Sequence, residues 1–93
     1  MAVTKPLTKP LTALEVMQDA PVIPVIVLRD VRHAVPLAQA LVAGGIRMLE
    51  VTLRTSEALA CIARIAREVP HAVVGAGTVR SAADARAAVD AGA

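Results

Sequence analysis

Three polar side chains stand in stretches that otherwise read as apolar strand. Glu50 and Arg54 lie in RMLEVTLRT (Arg47–Thr55), and Thr78 lies in AVVGAGTV (Ala72–Val79). A carboxylate or a guanidinium in so apolar a strand is costly unless it is paired or solvated. Side chains alternate along a strand, so Met48, Glu50, Thr52 and Arg54 share one face and Leu49, Val51 and Leu53 the other. A carboxyl part-way down such a strand is partly desolvated, which raises its pKa toward the range useful for proton transfer. A guanidinium at the strand end can grip a carboxylate or a phosphate through two parallel hydrogen bonds. Val74, Ala76 and Thr78 share a face of the later strand. If that face turns inward, the Thr78 hydroxyl joins Arg54. The combination suits acid/base chemistry on a small anionic substrate. The plainer reading is that Glu50 and Arg54 pair or bond neighbouring strands.

The elements that must position these residues are legible along the chain. Thr12-Ala-Leu-Glu15 is a capping box and predicts a helix to about Asp19, closed off by Pro21. Val22 to Leu28 is apolar on both faces, as expected of a strand buried in a parallel sheet, with Pro24 near its start. Asp30 caps a helix carrying Val31, Val35, Leu37, Ala38, Leu41 and Val42, ended by Gly44-Gly45. Pro36 is tolerable there only if helical bonding starts late. Arg47 to Leu53 is the second strand, and Thr55 or Ser56 caps a helix whose apolar face runs from Leu59 to Val69. Ala72 to Val79 is the third strand. Ser81-Ala-Ala-Asp84 is a second capping box, opening a helix to about Ala91 before Gly92. One helix followed by three β-α units predicts right-handed crossovers and a parallel sheet.

Composition narrows the function classes. The 93 residues suffice for one core, and 56% of them are hydrophobic, so the chain is not disordered. There is no Phe, Tyr or Trp, which removes the stacking platforms of single-strand nucleic-acid binders. The net charge is +2 and no face concentrates it, so no nucleic-acid partner is expected. No apolar run reaches the roughly 18 residues of a membrane span. MAVTKPLTKPLT lacks the regions of a secretory signal and repeats TKPL, so residues 1–11 read as a flexible arm and 12–93 as the folded part. Cys61, the sole cysteine, falls in an apolar helical pattern and reads as a small buried hydrophobe. His33 and His71 read as structural or solvated, and no ligand spacing suggests a metal. GAGT is not a dinucleotide fingerprint, because Arg80 stands where the last glycine should be.

The stretches PVIPVIVLRD, HAVPLAQALVAGGIRMLEVTLRT, IAREVP and VVGAGTV closely resemble the N-terminal part of the bacterial 2-keto-3-deoxy-6-phosphogluconate (KDPG) and keto-hydroxyglutarate (KHG) aldolases, over about Leu11 to Ala93. The resemblance implies an α/β fold, the (β/α)8 TIM barrel. This chain would supply the N-terminal helix and the first three β-α units. It also implies a cytoplasmic, homotrimeric class I aldolase of the Entner–Doudoroff type that works without a cofactor. A lysine would form a Schiff base with the keto acid, which cleaves to pyruvate and glyceraldehyde 3-phosphate. By motif, Glu50 matches the general acid/base, and Arg54 and Thr78 match residues holding the substrate's carboxylate and reacting end.

One departure matters. The Schiff-base lysine of the family lies on a later strand, whereas the only lysines here are Lys5 and Lys9. A complete barrel takes about 200 residues or more. The chain is therefore expected to be a piece that needs the C-terminal part of the barrel, and to be inactive alone. The alternatives are a non-catalytic half-barrel or assembly module, and an aldolase for a related 2-keto-3-deoxy or 4-hydroxy-2-keto acid.

Overall fold

The structure is a computed structural model and describes residues 11–20 and 22–93. Residues 1–10 of the arm expected over 1–11, and the stop at Pro21, lie outside the described residues. Helix α1 (Ala13–Asp19) opens as the capping box requires. The Thr12 hydroxyl accepts from the Glu15 amide at 3.1 Å, and the Thr12 amide donates to Glu15 Oε1 at 3.0 Å. Both groups would otherwise be orphans of the first turn.

Strand β1 spans only Val25–Ile26, shorter than its apolar run predicts. Pro24 has no amide to give, although its carbonyl accepts from the Glu50 amide at 3.0 Å. Further along, threonine hydroxyls hold the segment to its neighbour: Thr52 Oγ1 donates to Ile26 O at 3.0 Å and Thr55 Oγ1 to Leu28 O at 2.5 Å. A 3-10 turn, Val31–His33, precedes α2 (Ala34–Ala43). The late start resolves the difficulty at Pro36, which falls in the first turn of α2, where no amide partner is needed. Asp30 caps the 3-10 turn by accepting from the Arg32 amide at 2.9 Å.

Strand β2 (Met48–Thr52) lies between β1 and β3 (Val73–Gly77), all parallel, in the order β1-β2-β3. Helix α3 (Ala58–Glu68) buries Ala58, Cys61, Ile62 and Ile65. Its cap differs from expectation. Glu57 occupies the cap position without a side-chain hydrogen bond, because the Thr55 hydroxyl is spent on Leu28. Helix α4 (Ala82–Ala91) starts with Ser81 Oγ accepting from the Asp84 amide at 3.0 Å. Only half of that box forms, since Asp84 Oδ2 accepts from the Arg80 amide instead.

The core lies on one side of the sheet. Leu49 and Val51 of β2 and Val74 of β3 pack with Ala34 and Ala38 of α2 and with Cys61, Ile62 and Ile65 of α3. Burial pushes the Cys61 thiol pKa up, as for an unreactive core residue. Among the described residues no helix is long and apolar enough to cross a membrane.

Candidate active site

Register decides which side chains meet. Glu50 pairs with Val25 on β1 and with Gly75 on β3, and Thr52 pairs with Gly77. Paired residues of adjacent parallel strands point to the same side of the sheet. Met48, Glu50 and Thr52 therefore share the side away from the helices with Gly75 and Gly77. Leu49 and Val51 share the helix side with Val74 and Ala76. This matches the two faces expected of the second strand over Met48–Thr52, leaves Leu53 and Arg54 in the turn beyond it, and corrects the face expected to turn inward on β3. Val74 and Ala76 do not turn inward; the two glycines do.

Thr78 nevertheless reaches Arg54, and by another route. Its φ is +56°, in the left-handed region. That is a marked departure for a β-branched residue and costs about 1–2 kcal/mol. The strand's alternation ends at Gly77, and the bend carries the Thr78 hydroxyl to within 3.1 Å of Arg54 Nε, which donates to it. Local strain of this kind concentrates at functional sites. Arg54 is exposed at the C-terminal end of β2, and among the described residues only its Nε has a protein partner.

Glu50 is half-buried, the single break in a strand otherwise buried throughout. Among the described residues no ion pair joins it to Arg54 or to any other cation. Of the plainer reading, that the two pair or bond neighbouring strands, the ion pair is absent among the described residues, while the bond to a neighbouring strand is present in Arg54 and Thr78. The Glu50 carboxylate lies directly over Gly77: a Cβ placed there would stand 2.1 Å from Glu50 Oε2. Thr52, the third polar residue of the strand, is fully buried and its hydroxyl is committed to Ile26 O. His33 and His71 take no part in the site. Among the described residues no three His, Cys, Asp or Glu side chains converge on a metal-sized space.

Two features escaped the sequence reading. The GAGT stretch signals close approach, but not that Gly77 rather than Gly75 receives the Glu50 carboxylate. The other is an ion pair between Arg47, at the start of β2, and Asp19, at the end of α1, with Arg47 Nε 2.8 Å from Asp19 Oδ2. It ties α1 to the end of the sheet opposite Arg54. A groove of about 710 Å³ is lined by Val16 of α1, Met48 and Glu50 of β2, Val73 and Gly75 of β3 and Val89 of α4.

Comparisons with known proteins give the family and the fold. A family model described as KDPG and KHG aldolase matches residues 14–93. A 2-dehydro-3-deoxy-phosphogluconate aldolase of Pseudoalteromonas atlantica is 63% identical over 68 residues, which are 73% of this chain and 32% of that one. The crystal structure of 2-keto-3-deoxy-6-phospho-gluconate aldolase from Zymomonas mobilis superposes with a TM-score of 0.81 at 55% identity, over 84% of this chain and 37% of that one. A Legionella pneumophila KDPG aldolase, with pyruvate captured at low pH as a covalent carbinolamine intermediate, gives a TM-score of 0.80 at 46% identity over 84% and 38%. The chain thus spans about a third of the length of these relatives, and its three parallel strands and their helices are an N-terminal portion of the TIM barrel. With a family model matched from residue 14 to residue 93, this chain belongs to the KDPG and KHG aldolase family.

Proposed function

We propose that this chain supplies the proton-transfer and carboxylate-holding parts of a class I aldolase that cleaves 2-keto-3-deoxy-6-phosphogluconate to pyruvate and glyceraldehyde 3-phosphate. Barrel segments beyond Ala93 complete it and bring the Schiff-base lysine. The observation that carries the reading is the separation of Glu50 from Arg54. A half-buried carboxylate without a counter-ion faces the side of the sheet that a barrel encloses, and a guanidinium steadied by Thr78 stands at the rim.

In this reading Arg54 and Thr78 hold the keto acid by its carboxylate. That places the ketone carbon above Glu50, where a later-strand amine attacks it. Glu50 delivers the proton that lets the carbinolamine lose water. It then takes the proton of the C4 hydroxyl as the C3–C4 bond breaks and its electrons pass into the imine. Reprotonation at C3 yields the pyruvate imine, which water releases. The carbinolamine captured in the Legionella relative is a state of the same chemistry. The reading includes a cytoplasmic homotrimer and a place in an Entner–Doudoroff type of sugar-acid breakdown.

The test joins this chain to the later barrel segments of the Zymomonas mobilis relative and treats the product, called the joined chain below, with pyruvate and borohydride. Reduction fixes a Schiff base as a stable adduct. The expected result is an adduct on a lysine of the later segments, absent from Lys5 and Lys9, and absent when either part is treated alone. A joined chain that folds and stays unmodified overturns the proposal.

A further inference from the structure

We infer that Gly77 is a positioning residue: its missing side chain is the seat that fixes the Glu50 carboxylate against the floor of the site. The inference rests on the reading of Glu50 as the proton carrier and adds how its position is set.

Strand β3 carries two glycines, Gly75 and Gly77. Both share the face of Glu50, yet they differ in what a methyl group would meet. At Gly75 the nearest atom to an added Cβ is Leu49 O, at 3.8 Å, an ordinary contact. At Gly77 an added Cβ would lie 2.1 Å from Oε2, 2.6 Å from Cδ and 2.9 Å from Cγ of Glu50. Three consecutive atoms of one side chain thus pass over the Gly77 Cα. The strain of a left-handed φ plays no part, since the positive φ angles fall at Gly45, Gly92 and Thr78. Gly77 is required for space alone.

The seat is also held in place. The Gly77 carbonyl accepts from the Leu53 amide at 2.9 Å, so its backbone is fastened to the same strand that bears Glu50. The next residue is the strained Thr78 that meets Arg54. Two adjacent positions therefore govern both ends of the site, one by leaving room and the other by bending. The atoms that a methyl group at residue 77 would strike are the far end of a flexible side chain. The backbone can stay where it is, and the carboxylate must swing aside by about an ångström. Misplacement on that scale costs up to about 100-fold in rate, while the fold pays little.

The joined chain provides the test, with cleavage of 2-keto-3-deoxy-6-phosphogluconate as the readout and thermal melting alongside. Gly77→Ala is expected to lower kcat about 10- to 100-fold, with KM changed less than about twofold and melting close to the parent. Glu50→Gln alone is expected to lower kcat about 100-fold or more. In the double variant Gly77→Ala adds nothing to that loss, because the group it displaces is already disabled. Additive losses, or parental turnover by Gly77→Ala, overturn the inference. Should Gly77→Ala fail to fold, Glu50→Ala is introduced beside it. Recovery of folding identifies the Glu50 side chain as the occupant of the seat, and no recovery overturns it. Parental turnover by Glu50→Gln sinks the reading of Glu50 and this inference with it. An impaired Glu50→Gln beside an unimpaired Gly77→Ala sinks the seat alone.

Discussion

Glu50 stands mid-strand in β2, and Arg54 stands two residues past the strand's end, in the turn that follows. Alternation along β2 gives the face of Glu50 with Met48 and Thr52. That face was legible because β2 is regular over Met48–Thr52. Thr78 was matched to the same site through alternation on β3, and there the rule fails. Register turns Gly75 and Gly77 inward, and only the left-handed φ at Thr78 returns its hydroxyl to Arg54. Register between strands is a tertiary property, and a positive φ at threonine runs against residue preference. Neither is written in local pattern. The strain makes Thr78 separable from ordinary structural threonines. Thr78→Gly gives up about 0.5–1 kcal/mol of chain entropy but relieves about 1–2 kcal/mol of backbone strain. In the joined chain its melting temperature should be no lower than the parent's, while KM for the keto acid rises several-fold. Arg54→Ala should raise KM by the same route with kcat largely kept. A lower melting temperature with an unchanged KM for Thr78→Gly would mean that the threonine serves the fold.

At the scale of elements, caps and glycine stops marked the helices well, while strand lengths and side-chain commitments did not follow. The box at Thr12 forms completely, whereas Thr55, expected to cap α3, bonds to Leu28 O. A hydroxyl near a helix start has more than one acceptor in reach, and packing decides between them. The Asp19–Arg47 pair was invisible for a similar reason, since 28 residues separate its members. Its position is informative. Asp19 ends α1, where a negative charge opposes the helix dipole, so its charge depends on Arg47. The hydrogen bonds from Arg47 hold the Asp19 pKa below the ordinary carboxylate value, against a smaller opposing effect of burial. A depressed folded pKa means stability that is present above the unfolded pKa of about 3.9 and is lost as pH falls through the folded value. Asp30 and Glu68 are also held low, by Arg32 and by Arg64 with Arg67, so a single acid titration of the parent mixes several groups. The contribution of Asp19 is isolated by difference. Asp19→Asn should cost the joined chain about 1–2 kcal/mol at neutral pH, as for hydrogen bonds to a charged group. The gap between parent and variant should close as pH drops below about 4. A gap that stays constant across that range would show that the pair adds no charge-dependent stability.

At the scale of the whole molecule, the helix side of the sheet is covered throughout, while the other side is covered at Met48 and Thr52 of β2 and open along β1. The helix side buries Leu49, Val51 and Val74 almost completely. On the opposite side Val25, the register partner of Glu50, is 61% exposed, and Val27, two residues on, is 40% exposed. The parallel sheet was legible in the β-α order and in the run Val22 to Leu28, apolar on both faces, because a doubly covered strand needs hydrophobic side chains in both directions. The barrel was implied only by the family resemblance. The remaining strands are not encoded in these residues, but their docking place is. β3 is an edge strand among the described residues, and the groove of about 710 Å³ runs beside it. The Val73 amide donates to Arg47 O at 2.7 Å and the Gly77 carbonyl accepts from Leu53, so Val73, Gly75 and Gly77 turn their backbone groups to β2. The Val74 and Ala76 amides consequently point to the free edge, as the alternating geometry of a parallel ladder demands. In a barrel like that of the relatives, a right-handed crossover through α4 would deliver a further strand to this edge. Hydrogen exchange tests that placement directly. In the chain by itself the Val74 and Ala76 amides should exchange much faster than those of Gly75 and Gly77. In the joined chain they should slow by roughly two orders of magnitude or more, toward the protection of a central strand. If they remain fast while the joined chain is folded, the next strand pairs elsewhere. The groove beside β3, with Glu50 on its wall, would then not be the site that the later strands close.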